Sequence, residues 1–469
     1  MAISGALRAI ADCSVLTGAD AVAGYVADWT GRWRGGPAIV ARPRTVEAVS
    51  AVVRECAAAG VPVVPQGGNT GLVAGAVPPA GAVVLSLRGL DAIGEVSDGA
   101  VVAGAGVTLA ALESFAAARG LTCGLSLASG ESATVGGAAA TNAGGAEVLG
   151  YGTARARIAG LRAVLSDGAV LDRRRPLPKD NTGYDLVGQL VGSEGTLAVI
   201  TDVTWRLDPA PRARTVLALA FPSPGEAVAA VPVLRGLPGL LALEWSDGAA
   251  VARVAAHLDA PAPLPTDGCW VFAEFDGAPE AAGVVAGLLP DDRIAVAGPE
   301  DRTRLWRYRS RTTEAVGAAG VPVKLDVGVP LAAFAAAREA VVRAVREVAD
   351  SAGVAVEPVL FGHLAEGNLH VNLLPGTSAP ERGFSEEFAE RLEAAVLEQV
   401  LAFGGTVSAE HGVGRAKRAW LERQRGPEQV ALMRRVKDAW DPAGLLNPGA
   451  VLEPEVRRRT SGDPGADAR

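Results

Sequence analysis

The chain has four histidines, His257, His363, His370 and His411. Three of them fall in two short polar clusters, where chemistry is to be sought. The first is VLFGHLAEGNLHVNLL at 359–374, with strand-like apolar flanks around Glu366-Gly367, a two-residue turn candidate. If that turn closes a hairpin, His363 falls directly opposite His370, with Cβ atoms about 4.5–5.5 Å apart. Two imidazoles on one face could grip one cation, and Asn372, two residues on, points to the same face. The alternative is a pair of partly buried histidines bonded to backbone.

The second cluster, SAEHGVGR at 408–415, supplies Glu410 and His411. With the hairpin it completes a set of two histidines and one carboxylate, His363, His370 and Glu410, with His411 to spare. Such donors suit a divalent metal; zinc is taken first, with manganese or iron also compatible. An open coordination position would accept a substrate hydroxyl and carboxylate, and the metal would lower the hydroxyl pKa. His411 could then serve as the catalytic general base. A base and a metal do not remove a hydride, so an electron acceptor is required.

Three small-residue loops in the first half are candidates to hold one. Gln66-Gly67-Gly68-Asn69-Thr70-Gly71 follows a strand, and its backbone N–H groups could approach a pyrophosphate closely. SGESATVGGAAATNAGG at 129–145 and VGSEGTLAVIT at 191–201 are similarly small and polar. Each alone reads as a tight turn; three in one domain suggest one extended cofactor. Neither GK[ST] nor GxGxxG is present, so an ATPase or a Rossmann nicotinamide site is not supported.

Composition bounds the partners. The chain has 469 residues, 49 % hydrophobic and 20 % charged, so it is globular with two to three domains expected. A net charge of −8 argues against nucleic acid. Cys13, Cys56, Cys123 and Cys269 are scattered without a CxxC, which argues against iron–sulfur or thiolate zinc sites and fits a reducing cytoplasm. The N-terminus lacks a long apolar signal core, and no stretch reads as a convincing membrane span.

The elements that must position these groups are legible in outline. AIVARP at 38–43 is a short strand; Thr45 caps a helix that ends at Gly60. VPVVP and AVVLSL are strands, and Thr108 caps a helix stopped by Gly120. This strand–helix–strand rhythm is expected to continue to about 207, with a hairpin across Asp167-Gly168 and a strand in GTLAVITDVTWRL. DPAPRART at 208–215 is the best domain boundary. Beyond it, strands alternate with two long helices, in LAAFAAAREAVVRAVREVAD and SEEFAERLEAAVLEQVLAFGG. In VPVKLDV, Val323, Leu325 and Val327 form one face, and Lys324 and Asp326 the other. A cavity-facing Lys324 with Asp326 as its partner is the expectation. The tail 455–469 is charged and contains Gly and Pro, so it is expected to be disordered.

PQGGNTGLVAG, TVGGAAATNAGG and KDNTGYDLVGQLVGSEGTLAVIT resemble the FAD domain of the vanillyl-alcohol oxidase / p-cresol methylhydroxylase superfamily. The second half resembles its FAD-linked D-2-hydroxy-acid dehydrogenase branch, over about residues 20–452 in all. The resemblance implies an α+β fold. A PCMH-type FAD-binding domain of two α/β subdomains would fill 1–209, and an α+β substrate (cap) domain with an antiparallel sheet 210–425. Residues 426–454 would return to the FAD domain. It also implies non-covalent FAD, since no histidine precedes His257. Pro65 and Gly67, Gly68, Asn69, Thr70, Gly71 and Leu72 would cradle the pyrophosphate. Ser132, Gly136, Gly137, Asn142, Gly144 and Ile200 would line the flavin, with Asn447 of LLNPGAVL close to it. Gln66 and Ala450 depart from the family's usual Arg and Lys. By resemblance, Arg309 and Lys324 bind the substrate carboxylate and Thr313 donates a hydrogen bond, with Asn372 in the same substrate set. Arg offers a fork matched to a carboxylate and Lys a point charge.

The expected activity is oxidation of a D-2-hydroxy acid, of 2-hydroxyglutarate or lactate type, with hydride passing to flavin N5. Electrons would leave to a separate acceptor, an electron-transfer flavoprotein or a quinone, and a homodimer is usual among similar proteins. Competing readings are a metal-free FAD alcohol or sugar oxidase, a flavoprotein subunit of a glycolate oxidase-like complex, and a metal hydrolase that would leave three glycine loops idle.

Overall fold

The computed structural model describes residues 2–454, apart from 37, 176, 178, 278–282, 284, 286 and 377–382. The expected disordered tail at 455–469 lies outside the described residues. Among them, no helix is long and apolar enough to cross a membrane.

The first half carries two sheets. Strands β1 (Cys13–Leu16), β2 (Ile39–Pro43), β3 (Val63–Gln66) and β4 (Val83–Ser86) form one, in the order β1-β2-β4-β3. β2, β4 and β3 run parallel, and β1 pairs antiparallel to β2. The parallel arrangement needs a crossover, which the helix Val46–Ala59 provides. Thr45 Oγ1 accepts from Ala48 N at its start, and Gly60 closes it in the left-handed region at φ 63°. Val46, Val49, Val52, Val53 and Cys56 bury one helix face.

The second sheet holds β5 (Ile93–Ser97), β6 (Ala100–Gly104), β8 (Ile158–Val164), β9 (Val170–Asp172) and β10 (Val199–Arg206), in the order β5-β6-β10-β8-β9. A short pair, β7 (Leu121–Thr122) with β11 (Asp208–Pro209), lies beside it in the chain. Helices still fall between these strands, as the strand–helix–strand rhythm implies, but every pairing in the five-stranded sheet is antiparallel. β5 and β6 are joined by two residues, Asp98 and Gly99, both with positive φ, which leaves no room for a crossover. The β8–β9 hairpin does turn at Asp167-Gly168, with Leu165 N–H donating to Ala169 O across it.

The second half is built on seven strands: β12 (Arg214–Phe221), β13 (Leu240–Asp247), β14 (Cys269–Asp276), β15 (Ile294–Ala297), β16 (Val323–Gly328), β17 (Val356–His363) and β18 (Asn368–Pro375). Their order is β15-β12-β14-β13-β17-β18-β16, with antiparallel pairing. The two faces differ sharply. Leu243, Trp245, Leu325, Val327, Leu360 and Val371 point to one side and pack under the helices Phe334–Ala352 and Glu386–Ala402. With a period of two, the residues between them point to the other side: Glu244, Phe361, His363, Lys324, Asp326, His370 and Asn372. Functional polar groups therefore collect on the face that the long helices leave free.

Candidate active site

The histidine hairpin forms with a different register from the one expected. His363 pairs with Asn368, and Phe361 with His370. The turn is four residues long, Leu364–Gly367, not the two-residue Glu366-Gly367 turn. Leu364 is fully buried in the apolar core and its N–H donates to Leu243 O, so it stays on the β13 side instead of joining the ladder. The pairing slips by a whole pleat, which preserves side-chain parity. His363 and His370 remain on one face as diagonal neighbours.

That diagonal brings the two Nε2 atoms to 3.4 Å. Each ring is held by its other nitrogen. His363 Nδ1 lies 2.5 Å from Glu244 Oε1, and His370 Nδ1 lies 3.5 Å from Asp326 Oδ1. Glu410 Oε1 stands 3.3 Å from His363 Nε2. Two nitrogens each about 2.05 Å from zinc at a tetrahedral angle would be about 3.4 Å apart, so the spacing fits a small divalent ion. Carboxylates behind metal-facing imidazoles are the usual means of fixing tautomer and ring orientation. A second set, Asp326, His370 and His411, also lies within 4.8 Å and shares His370.

Asp326 is not the partner of Lys324, contrary to expectation. It is fully buried. Its Oδ2 accepts from Ala409, Glu410 and His411 N–H at 3.2, 2.8 and 3.0 Å, and its Oδ1 from Asn368 Nδ2 at 2.7 Å. One carboxylate thus folds the loop that presents Glu410 and His411. His411 stacks on His370, with centroids 6.0 Å apart and an interplanar angle of 16°. Lys324 sits opposite Asn372, with its Nζ 5.3 Å from the centre of the Trp29 ring. Burial lowers its pKa.

Arg309 ion-pairs with Glu244 Oε2 at 2.5 Å and lies 4.8 Å over the Phe361 ring, which is itself 5.1 Å from His370. Thr313 is exposed on the helix Thr312–Ala319 and joins none of these groups. A cavity of about 480 Å³ reaches the donors between the halves, lined among others by Asn142, Gly144, His363, Glu366 and Glu410. Arg309, Lys324 and Thr313 do not line it.

Electrostatics distinguish the two imidazoles. Burial disfavours a charged His363, but Glu244 and Glu410 outweigh it and push its pKa up to about 10. Burial, reinforced by the charge on His363, pushes His370 down to about 3 against the pull of Asp326. Asp326 is itself buried, yet His411, Lys417 and His370 hold its carboxyl below the usual range. A proton on His363 thus occupies the place between carboxylates where a cation would sit. Burial also raises Glu366, to about 7.

In the first half, Gly67, Gly68, Gly136 and Gly144 are required by contact, whereas a Cβ on Gly71 would meet open space. A Cβ on Gly68 would lie 1.9 Å from Ser132 O, and one on Gly67 2.3 Å from Thr134 Oγ1. Pro65 touches Gly195, and Gly136 packs on Ala105. Thr70, Gly71 and Leu72 continue the loop at the surface. Asn69 Nδ2 donates to Gly24 O and Ala27 O, which ties this loop to the N-terminal segment. Thr134 caps the helix Val135–Thr141 through Gly137 N–H, and Asn142 ends it in the left-handed region. Ile200 is buried in β10. A Cβ on Gly144 would lie 2.9 Å from Glu410 Oε1, so the second loop abuts the metal-type donors directly.

Asn447 is buried and fully engaged. Its Nδ2 donates to Gly75 O and Glu194 O, and its Oδ1 accepts from Arg415. Gln66 is also buried and donates to Tyr25 O and Ala76 O, where the family's Arg would carry a charge. Sequence reasoning missed Glu244, Glu194 and the reach of Asp326. Glu194 accepts from Val413 and Gly414 N–H at 2.8 Å each and so anchors the His411 loop to the first half. The available signal for Glu244 was an acid inside the apolar run LLALEW.

Residues 37–173 match the FAD binding domain family and residues 210–451 the FAD linked oxidases, C-terminal domain. The chain is 36 % identical over 442 residues to D-2-hydroxyglutarate dehydrogenase of Xanthomonas citri pv. viticola, covering 92 % of each chain. It is 36 % identical over 419 residues to D-lactate dehydrogenase of Archaeoglobus fulgidus, covering 88 % of this chain and 91 % of the relative. Among solved structures, p-cresol methylhydroxylase superposes with a TM-score of 0.74 at 19 % identity over 96 % of both chains, which shows the shared fold. An alkyldihydroxyacetonephosphate synthase gives 0.74 at 17 % identity over 95 % of this chain and 85 % of that one. The chain therefore belongs to the FAD-linked oxidases and, within them, to the D-2-hydroxy-acid dehydrogenase branch.

Proposed function

We propose that the protein oxidises a D-2-hydroxy acid, of 2-hydroxyglutarate or lactate type, to the 2-oxo acid in a metal-assisted reaction. The supporting observation is the convergence of His363 Nε2, His370 Nε2 and Glu410 Oε1 within 4.8 Å, each imidazole backed by a buried carboxylate. FAD, when bound, supplies the hydride acceptor at N5, and a divalent ion, zinc first, supplies Lewis acidity at the hydroxyl. His363, His370 and Glu410 hold the ion. His411 takes the hydroxyl proton as general base. Lys324, Asn372 and Arg309 receive carboxylate charge from the substrate. Thr313, exposed on its helix, donates a hydrogen bond to the substrate once binding brings the two together. The glycine loops around Gly67–Leu72 and Ser132–Gly144 hold FAD, with residues 1–209 as its domain, 210–425 as the substrate domain and 426–454 returning to the first. Electrons leave to a separate flavoprotein or quinone acceptor. The free cysteines support a reducing compartment such as the cytoplasm.

The test is anaerobic flavin bleaching against paired D- and L-2-hydroxy acids, before and after chelation. Bleaching by a D-acid, lost with chelator and restored by zinc or manganese, is expected. Undiminished bleaching in the metal-free protein sinks the metal-assisted reading; bleaching only by sugars or phenolic alcohols sinks the substrate class.

A further inference from the structure

We infer that Glu244 is a positioning residue that joins the metal-ligand end of the site to its carboxylate-binding end. The inference rests on the function proposed above. Glu244 lies in β13, opposite His363 of β17. It is 1 % exposed, and a carboxylate taken that far from water persists only with partners. It has two, one per oxygen. Oε1 meets His363 Nδ1 at 2.5 Å, and Oε2 meets Arg309 at 2.5 Å.

The geometry gives this bridge a defined use. Arg309 belongs to the helix Arg302–Ser310, whose other end is tied by Arg302 to Glu274. Glu274 is fully buried and stands opposite Ala242 on β14, so both glutamates project from one face of the sheet. Two acids clamp one helix, but only Glu244 also touches a metal-type ligand. It holds His363 with Nε2 toward His370 and Glu410, and it sets the guanidinium of Arg309 over Phe361, the cross-strand neighbour of His370. The separation between the hydroxyl-binding and carboxylate-binding ends of the substrate is thereby set by one side chain. A helix clamp alone would need no imidazole.

The experiment compares full-length, FAD-loaded wild type with Glu244→Gln, Glu244→Ala and Glu274→Gln, reading zinc affinity, KM and kcat for the active D-2-hydroxy acid, and Tm. Glu244→Gln can still accept from His363 Nδ1–H but no longer balances Arg309. It should keep zinc within about tenfold while raising KM about tenfold or more. Glu244→Ala should weaken zinc about 10–100-fold. Glu274→Gln, which weakens the far clamp and the Arg214 ion pair but touches no metal-type ligand, should lower Tm and leave zinc affinity and KM within about twofold. If both Gln variants lower Tm alike and leave zinc affinity and KM unchanged, Glu244 is only a clamp and the inference falls. If Glu244→Ala does not fold, the near-isosteric Gln variant carries the comparison. A wild type that takes up no zinc removes the metal reading separately. Glu244 is then judged on KM and on the His363 Nδ1–H proton signal in ¹⁵N-histidine spectra, and an unaltered signal with unaltered KM overturns it.

Discussion

The two halves of this site are made in opposite ways. The proposed cofactor side is backbone: glycines at 67, 68, 136 and 144 whose missing Cβ atoms let segments approach within contact distance. The substrate side is side chains: Glu244, Asp326, His363, His370 and Glu410, drawn from β13, β16, β17, β18 and a later loop. A backbone cradle is written in two short runs, at 67–68 and 136–144, and it tolerates almost no added volume. A side-chain cluster is written across more than 160 positions, from Glu244 to His411, and only the pairing of distant strands assembles it.

That contrast can be broken most forcefully at His370. His370→Ala should retain the yellow FAD spectrum yet lose substrate-driven bleaching by about 10³-fold or more, because it removes a metal ligand and the stacking partner of His411. Loss of FAD along with activity would show that the halves are not separable. Gly68→Ala addresses the other half. Its Cβ would meet Ser132 O at 1.9 Å, and overpacking of this kind costs about 1–3 kcal/mol. FAD retention should fall about 10–100-fold while zinc affinity is unchanged; a fully yellow variant would show that the cradle yields.

A further expected effect is in pH. His363 is held up at about 10 in the metal-free protein, so zinc must displace its proton. Zinc affinity should rise about tenfold per pH unit from 6.5 to 9. The sign for stability is the reverse. A folded pKa above the unfolded value near 6.5 stabilises the metal-free fold below pH 6.5, and this contribution is lost as pH rises toward 10. The midpoint of thermal unfolding should fall over that window without zinc and flatten with it. A zinc affinity independent of pH would argue that His363 binds no metal.

Legibility in the sequence followed the same division. Thr45, Gly60 and Thr108 mark helix ends by local rules, and they stand where the chain chemistry puts them. The pairing of His363 with His370 failed locally, since Leu364 leaves the ladder for the core of a strand over a hundred residues earlier. The face was nonetheless right, because a slip by a whole pleat preserves parity. The β5–β6 pairing of the second sheet is set locally by Asp98-Gly99, a two-residue turn with both φ positive.

Residue types and periodicity by themselves placed His363 and His370 on one strand face and marked small-residue loops as candidates to hold a cofactor. Only tertiary structure decided who stands behind each imidazole. Glu244 meets His363 through strand pairing, and Asp326 folds the Glu410 loop through three backbone N–H groups. Such partners are chosen by register between distant strands and by the cost of leaving a buried charge alone. Neither is expressed in a short stretch of sequence.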